Sequence, residues 1–306
     1  MKIDFILCTK DRPDAIKTLL NSINTLDQLE LAEVTVVDSS KKPLELDSLQ
    51  FTKPMPVKVI QSKPGLPTQR NIGLKSSKNP IVVFLDDDVV LAENFISATI
   101  EEFSQNIDIA GIGYLLKGVE FSDKKLFRNF AVAVNEEKFG QVTKTGINYW
   151  YPERGERLSY KPPMWLPGCA MAFRRTEING VEFNPVLEEG ILGGYALGED
   201  VDFTLRLQKK GKKFRLCVKT TVDHYEAPGE RDNSLQLSQA QGNWLKFLTK
   251  THKQYVRTNR VFLRLFAEFL YLKLAFFINR GSSGARICSR ERLLNFLQRS
   301  PYSEFN

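Results

Sequence analysis

Residues 81–88 read IVVFLDDD, five apolar residues followed directly by three aspartates. A short apolar run rich in β-branched residues is typical of a strand that is buried on both faces of a parallel sheet. Three adjacent carboxylates repel one another, so they are favoured beside a cation, and Mg²⁺ and Mn²⁺ take oxygen ligands of this kind. In open α/β sheets ligands bind beyond the carboxyl ends of the strands, where these aspartates should lie. The alternative to a cation site is that the three aspartates form a solvated turn after the strand.

Strand patterns and helix patterns alternate on both sides of this stretch. We predict strands at residues 3–7, 34–37, 57–60, 81–85, 109–114, 165–174 and 214–218, and helices at about residues 14–26, 67–76 and 92–103. Repeated strand–helix units form a mostly parallel sheet with right-handed connections. The sequence therefore predicts an α/β fold whose first half has the size of a nucleotide-binding unit.

The length of 306 residues exceeds a usual single core, so we expect a second unit or an appendage. We predict a catalytic domain over residues 1–230, with a nucleotide-binding half at 1–115 and an acceptor half at 116–230, and a helical tail at 231–306. The four cysteines are scattered and form no C-x-x-C pair, which argues against a zinc site or a disulfide framework. The N-terminus does not resemble a signal peptide, so we predict a cytoplasmic location.

The basic excess of the chain is confined to the tail. Residues 246–306 hold 12 Lys and Arg against 3 Asp and Glu, whereas the preceding residues carry a net charge of −2. Such a segment can bind nucleic acid or anionic lipid, or it can serve solubility. An acidic strand end opposes a polyanion, so we predict no nucleic acid partner.

Residues 261–278 of the tail are almost continuously apolar, but they include Arg264, Glu268 and Lys273. Each of these charges costs about 2.5–3.5 kcal/mol at the centre of a bilayer, whereas each Leu, Ile, Phe or Val contributes about 0.3–0.6 kcal/mol. The gain barely compensates the cost. We therefore predict a helix that lies on the inner face of the cell membrane, and the alternatives are that it packs on the catalytic domain or forms a contact in a homo-oligomer.

No familiar phosphate-binding loop is present, since the chain has neither G-x-x-x-x-G-K-[ST] nor G-x-G-x-x-G after a strand. This argues against a kinase-type or dinucleotide-binding fold. A metal ion at the aspartates could hold a diphosphate instead.

Six stretches in order carry a family resemblance, namely FILCTKDRP, VVDSS, GLPTQRNIGLKSS, IVVFLDDDV, WLPGCAMAFRR and LGEDVDFTLRLQKKG. Over residues 1–225 the chain resembles the inverting family-two glycosyltransferases with a GT-A fold, and most of all bacterial rhamnosyltransferase-type enzymes of surface polysaccharide synthesis. The resemblance implies a UDP-sugar or dTDP-sugar donor, dTDP-rhamnose among them, and a saccharide or lipid-linked saccharide acceptor.

The resemblance also assigns the donor side of the site. Nucleotide-binding residues would be Thr9, Asp11, Arg12, Asp38, Arg70, Asn71, Asp86 and Asp87, with Asp38 accepting from the N3–H of the base and Asp86 meeting the ribose. Mg²⁺ or Mn²⁺ would be bound by Asp88 and His224. We expect Asp87 to face away from its neighbours, because successive side chains of an extended strand point to opposite sides. As alternatives, the acids cap turns, Arg70 is a surface cation, and His224 is a structural hydrogen-bonding residue.

On the acceptor side, Asp200 would be the catalytic base, because an acceptor hydroxyl needs a positioned carboxylate to take its proton. Glu199, Trp165 and Gly168 would bind the acceptor. Two alternatives stay open: acids at a helix N-terminus are ordinary caps, and Trp165 can belong to the core. The glycine-rich run at residues 190–198 suggests a mobile loop over the site.

The sequence thus predicts an inverting, metal-dependent hexosyltransferase. A nucleotidyltransferase of similar fold and a non-catalytic nucleic-acid-binding or glycan-binding protein are the alternatives. A nucleotidyltransferase should carry a Gly-rich, Lys-bearing loop after the first strand, where this chain has Thr9-Lys10-Asp11-Arg12-Pro13.

Overall fold

A computed structural model of the chain describes residues 1–46, 51–117, 140–148, 162–188, 197–225, 234–277 and 283–297. The strands in these residues are β1 (Ile3–Thr9), β2 (Ala32–Asp38), β3 (Val57–Gln61), β4 (Ile81–Asp86), β5 (Val89–Leu91), β6 (Gly111–Lys117), β7 (Ala170–Arg174) and β8 (Phe214–His224). The helices are α1 (Pro13–Thr25), α2 (Leu66–Ser76), α3 (Phe95–Gln105), α4 (Glu199–Lys209), α5 (Ser234–Thr251), α6 (Thr258–Phe277) and α7 (Ser283–Leu297). The predicted α/β fold with C-terminal helices is confirmed.

The eight strands form one sheet in the order β3-β2-β1-β4-β7-β6-β8-β5. Four of the seven pairings are parallel, and they join β3, β2, β1 and β4 in a row and β6 to β8. The other three pairings, β4 with β7, β7 with β6 and β8 with β5, are antiparallel. Strand β4 therefore lies where the direction of the sheet reverses, and its aspartates emerge at the middle of one edge.

The apolar run of β4 is continuous because both faces of this strand are covered. Ile81, Val83 and Leu85 belong to one hydrophobic cluster, whereas Val82 and Phe84 belong to a second cluster across the sheet. All five side chains are at most 1% exposed. Burying a side chain of this size contributes about 1.5–3 kcal/mol, so β4 is a rigid support for the residues that follow it.

Some element bounds differ from the sequence-based expectation. We predicted a strand through residues 165–174, but β7 begins only at Ala170, because the carbonyl and the N–H of Gly168 bond to Arg70 and Asp200, and the N–H of Ala170 bonds to the carbonyl of Pro167. Strand β8 continues to His224, where residues 214–218 were predicted. Its pairing with β6 shifts register between Tyr114 and Leu115, an irregularity that no period-two pattern indicates.

The chain divides into two compact units. The first contains residues 1–141, 150–183 and 200–228 and holds the sheet. The second contains residues 142–149, 184–199 and 229–306, so two segments from the middle of the chain group with the tail helices. The predicted domain boundaries stay a prediction.

Within the second unit, α5 and α6 each pack against α7. The left-handed Gly198 (φ +73°) lies against Trp244, where an added Cβ would be 2.5 Å from the indole ring, so only glycine fits there. Leu263, Phe266, Leu270 and Leu274 of α6 are 41–66% exposed. No helix within the described residues combines the length and the hydropathy that a membrane crossing requires.

Candidate functional site

The carboxyl ends of three parallel strands bring the predicted site residues to one edge of the sheet. Thr9 is the register partner of Asp38, and Cys8 is the register partner of Asp86. Gln69, which the sequence analysis did not single out, donates from Nε2 to the carbonyls of Thr9 and Val37, at 3.0 and 2.8 Å. It ties together the ends of β1 and β2. Its position next to Arg70 and Asn71 was the signal that could have found it.

Arg12 supplies a cation to the aspartates that follow β4. Its Nη1 donates to Asp87 Oδ1 at 3.0 Å and to Asp88 Oδ2 at 3.1 Å, and Thr9 Oγ1 donates to Asp87 Oδ2 at 2.7 Å. Burial alone would lower the pKa of Arg12, but the charges of Asp87 and Asp88 and their hydrogen bonds raise it. Burial raises the pKa of Asp87, although Thr9 and Arg12 oppose this.

The expected orientation of Asp87 was wrong. Asp87 and Asp88 share one guanidinium nitrogen, so their side chains do not point to opposite sides. The physical reason is that β4 ends at Asp86 and the next two residues form a turn, where the alternation of an extended strand no longer holds.

Asp88 and His224 approach each other as the resemblance implies. His224 Nε2 lies 3.3 Å from Asp88 Oδ1, because β5 pairs Val89 with His224. An oxygen and a nitrogen donor of this kind suit Mn²⁺. The described residues contain no group of three or more His, Cys, Asp or Glu that could hold a metal ion. The pair therefore fits a metal that takes its other ligands from substrate phosphates or water, as Mg²⁺ sites commonly do.

Asp38 organises the loop after β2. It is fully buried, and it accepts hydrogen bonds from the backbone N–H groups of Ser40 and Leu44 and from Gln61 Nε2, each at 2.8 Å. Burial alone would raise the pKa of Asp38, but hydrogen bonds from Ser40, Gln61 and Leu44 lower it.

A cavity of about 360 Å³ lies beside this loop, and its lining includes Thr9, Asp11 and Leu44. Asp11 has a left-handed backbone (φ +54°) and is fixed by two hydrogen bonds. Its N–H donates to Ser40 Oγ at 2.7 Å, and its Oδ1 accepts from the N–H of Lys41 at 3.0 Å. The loops after β1 and β2 thus hold each other around the cavity.

Arg70 and Asn71 of α2 are buried. Arg70 Nη2 donates to Asp86 Oδ1 at 2.9 Å and to the carbonyl of Gly168 at 3.0 Å, and its side chain is 1% exposed. Asn71 exchanges two hydrogen bonds with the backbone of Phe183, at 2.8 and 2.7 Å. This burial contradicts the alternative that Arg70 is a surface cation. Contact of either residue with a nucleotide stays a prediction.

Asp200 follows the first residue of α4 and is 9% exposed. Its Oδ2 accepts from the N–H of Gly168 at 2.8 Å, and its Oδ1 accepts from the N–H of Val201 at 2.7 Å. The second bond is typical of a helix terminus, whereas the first connects Asp200 to the segment before β7. Capping and catalysis are therefore compatible with the same side-chain position.

The buried thiol of Cys169 is affected by the charges of three of the predicted carboxylates. Burial raises the pKa of Cys169 well above its usual value, and the charges of Asp86, Asp200 and Asp88 raise it further. The Cys169 carbonyl also accepts from the N–H of Asp86 at 3.1 Å. Asp86 is the most exposed of the three consecutive aspartates, with 31% of its side chain accessible.

Two of the residues predicted to bind the acceptor, Trp165 and Glu199, are buried. Trp165 is 1% exposed, as its core alternative requires, and Glu199 is 6% exposed. Residues 190–196 of the glycine-rich run lie outside the described residues. The acceptor-binding roles of Trp165, Gly168 and Glu199 stay predictions.

Three comparisons place the chain among known proteins. The profile described as Glycosyl transferase family 2 matches residues 4–180. The O-antigen biosynthesis protein RfbC of Myxococcus xanthus is 22% identical over 245 residues, which cover 76% of this chain and 18% of that protein. The chain thus spans less than a fifth of the length of this curated relative.

Two solved structures show the same fold. Residues 1–349 of TarS from S. aureus match with a TM-score of 0.53 and 17% identity, over 98% of this chain and 81% of that chain. GalNAc-T7, crystallised with UDP, GalNAc and Mn²⁺, matches with a TM-score of 0.57 and 14% identity, over 95% of this chain and 54% of that chain. The fold is the GT-A type that the sequence predicted. Since the family profile covers more than half of the chain and includes the strands that carry Thr9, Asp38 and Asp86, the chain belongs to glycosyl transferase family 2.

Proposed function

We propose that the chain transfers a sugar from a nucleoside diphosphate sugar to a hydroxyl group of an acceptor, with inversion at the anomeric carbon. The observation that carries this proposal is that Arg70 and the backbone of Gly168 connect Asp86, at the end of β4, to Asp200 of α4 by hydrogen bonds. Carboxylates from the strand end and from α4 provide both a cation-binding side and a proton acceptor. Membership of the family supports the reaction class.

The donor nucleotide would occupy the cavity between the loops after β1 and β2. The base would meet the loop that Asp38 holds through Ser40 and Leu44, two residues that line the cavity. UDP and dTDP present the same N3–H edge, so either nucleotide fits this proposal. The exposed side of Asp86 would face the ribose.

A divalent ion would be held by Asp88 and His224. GalNAc-T7 was crystallised with both UDP and Mn²⁺, which supports a metal-bound diphosphate in this fold. Such an ion neutralises charge on the leaving diphosphate. Among the residues of the chain, Arg12 and Arg70 hold the neighbouring carboxylates, so the acidic edge is partly neutralised before substrate binds.

Asp200 would act as the base. Its carboxylate would take the proton of the acceptor hydroxyl while the hydroxyl oxygen forms a bond to the anomeric carbon, and the bond from that carbon to the diphosphate oxygen breaks. The nucleoside diphosphate leaves with the bonding electrons. Attack from the side opposite the leaving group inverts the anomeric centre. The N–H groups of Gly168 and Val201 bond to the two oxygens of Asp200 and so fix the orientation of its carboxylate.

The acceptor would be a saccharide or a lipid-linked saccharide of a surface polysaccharide, as the name of the relative RfbC suggests. The tail would then bring the chain to the inner face of the cell membrane. The exposed residues Leu263, Phe266, Leu270 and Leu274 share one face of α6, and the exposed Arg260 and Lys273 flank this face. An apolar stripe bordered by cations suits an anionic lipid surface.

Incubation of the protein with UDP-sugars and dTDP-sugars, Mn²⁺ and saccharide acceptors tests the proposal. We expect release of nucleoside diphosphate and, without acceptor, slow hydrolysis of one donor. Asp200→Asn should lower turnover by about 10²–10⁴-fold while donor affinity stays near that of the wild type, because the amide keeps the shape but cannot accept the proton. Release of pyrophosphate would indicate a nucleotidyltransferase, and full turnover of Asp200→Asn would remove its role as base.

A further inference from the structure

We propose that Gly168 is a positioning residue that acts with Arg70 to set the place of Asp200 relative to Asp86. The proposal rests on the proposed role of Asp200 as the base. It concerns the backbone of Gly168, whereas the family resemblance implies only that this residue contacts the acceptor.

A chain of hydrogen bonds joins the two carboxylates through the backbone of this one residue. Arg70 Nη2 donates to Asp86 Oδ1 at 2.9 Å and to the carbonyl of Gly168 at 3.0 Å. The N–H of Gly168 then donates to Asp200 Oδ2 at 2.8 Å. A carboxylate on the donor side of the site is thereby connected to the proposed base by three bonds.

Burial of the bonded groups limits how far Arg70, Gly168 and Asp200 can move relative to one another. Arg70 is 1% exposed, Gly168 is buried and Asp200 is 9% exposed. Hydrogen bonds are electrostatically stronger in such surroundings than in water, and a displaced polar group finds no solvent to replace its partner. Movement of Gly168 would therefore be transmitted to both of its partners.

The space around Gly168 leaves no room for a side chain. A Cβ atom there would lie 3.0 Å from Arg70 Nη2 and 3.2 Å from both Cβ and Oδ2 of Asp200. The backbone of Gly168 does not have a positive φ, so an alanine would be conformationally allowed and would act only by crowding. The absence of a side chain thus sets how closely Arg70 and Asp200 approach.

Arg70 has little freedom to yield to such crowding. Its guanidinium lies over the ring of Phe183, 5.4 Å from the centroid, and the backbone of Phe183 is held by both polar ends of Asn71. An added methyl group would consequently displace Asp200 more than Arg70. The displaced carboxylate is the one that must face the acceptor hydroxyl.

The test compares Gly168→Ala with Gly284→Ala, a substitution of the same chemistry at a site where a Cβ meets nothing within 4 Å. We expect Gly168→Ala to lower kcat by about 10–100-fold, because misplacement of a reacting group by about 1 Å costs that much. The dissociation constant for UDP or dTDP with Mn²⁺, measured by calorimetry, should change less than about twofold. Gly284→Ala should match the wild type in both measurements.

The pH profile separates positioning from a general loss of structure. A weaker N–H bond to the charged form of Asp200 raises the pKa of its carboxyl, so the acidic limb of the kcat profile should move to higher pH. If Gly168→Ala melts below the assay temperature, Arg70→Lys carries the test, since lysine keeps the charge but lacks the flat guanidinium that lies over the ring of Phe183. It should also lower kcat.

Full kcat with an unshifted pH profile, in Gly168→Ala or in Arg70→Lys, would overturn the proposal. A loss of activity that only follows a loss of melting temperature would overturn it as well. Asp200→Asn shows whether only the positioning role of Gly168 fails or the proposed base fails as well. If this variant is inactive and Gly168→Ala is fully active, only the positioning role fails; if Asp200→Asn is active, the proposed base and the positioning role fail together.

Discussion

Arg12 donates to Asp88 Oδ2 at 3.1 Å, so the acidic edge of the sheet carries a cation from its own chain. The same nitrogen bonds Asp87, and the side chains of all three residues are at most 15% exposed. The other oxygen of Asp88 faces His224. Asp88 thus lies between the guanidinium of Arg12 and the imidazole of His224, so one of its oxygens holds the ion pair and the other faces the residue with which it would bind the proposed metal.

Replacing Arg12 by alanine should destabilise the fold. The substitution leaves two buried carboxylates without this partner, and breaking a buried ion pair costs about 3–5 kcal/mol. Urea denaturation measures this cost. Lys17→Ala is the control. It removes a cation that lines the cavity, but it breaks no ion pair of the described residues. An unchanged free energy of unfolding in Arg12→Ala would contradict the structural role.

Binding of nucleoside diphosphate should require Mg²⁺ or Mn²⁺. Without the ion, the carboxylates of the edge repel the phosphates. Calorimetry with and without a chelator checks this. Asp88→Ala should reproduce the effect of the chelator, and His224→Ala should do so more weakly, because an imidazole is one of several donors that the ion can take. Equal affinities with and without chelator would remove the metal from the proposal.

Asp38 should make the free energy of unfolding depend on pH in the acidic range. Its pKa is lowered in the folded protein, so its bonds stabilise the fold above the unfolded pKa, about 3.9, and this contribution is lost as the pH falls through the lower folded value. Asp38→Asn should therefore be less stable than the wild type at pH 7, and the difference should shrink below about pH 4. Denaturation at a series of pH values measures it. A difference that stays constant to pH 2 would contradict this origin.

The exposed face of α6 should bind anionic vesicles. Replacing Leu263 and Leu274 by serine should weaken the affinity for anionic vesicles by about 100-fold or more in co-sedimentation, since each fully buried leucine contributes about 1.5–3 kcal/mol and every 1.4 kcal/mol is tenfold. High salt should weaken binding of the wild type only in part, because burial of apolar groups is not screened. Ile107→Ser is a matched control, as Ile107 is 84% exposed and lies outside the tail. Binding that is equal for all variants, or absent for the wild type, would assign α6 to protein contacts.

Patterns within short stretches of sequence predicted much of the fold. The continuous apolar run of β4 indicated burial on both faces, and it is buried on both faces. The reversal of direction at β4 was not predictable in this way, because β7 comes from a distant part of the chain. The location of Thr9, Asp38 and Asp86 at one edge followed from parallel strands alone.

Side-chain partners were harder to predict than positions. The alternative that Arg70 is a surface cation failed because its burial depends on Gly168 and Phe183, which lie far along the chain. The orientation of Asp87 failed for a local reason, the end of the strand at Asp86. The periodicity of apolar residues indicates the type of an element and which of its faces is buried. It does not indicate the residue at which tertiary contacts end that element.

The pairing of β4 with β7 also has a consequence for how the protein is made. Strands β1 to β4 are parallel neighbours early in the chain, whereas Leu85 meets Ala170 only after a long intervening segment has been synthesised. Contacts between distant segments form slowly, because the loop between them must first be closed. During synthesis the first four strands therefore emerge before β7 and before Asp200, so a nascent chain contains every residue that lines the cavity well before it contains the proposed catalytic base.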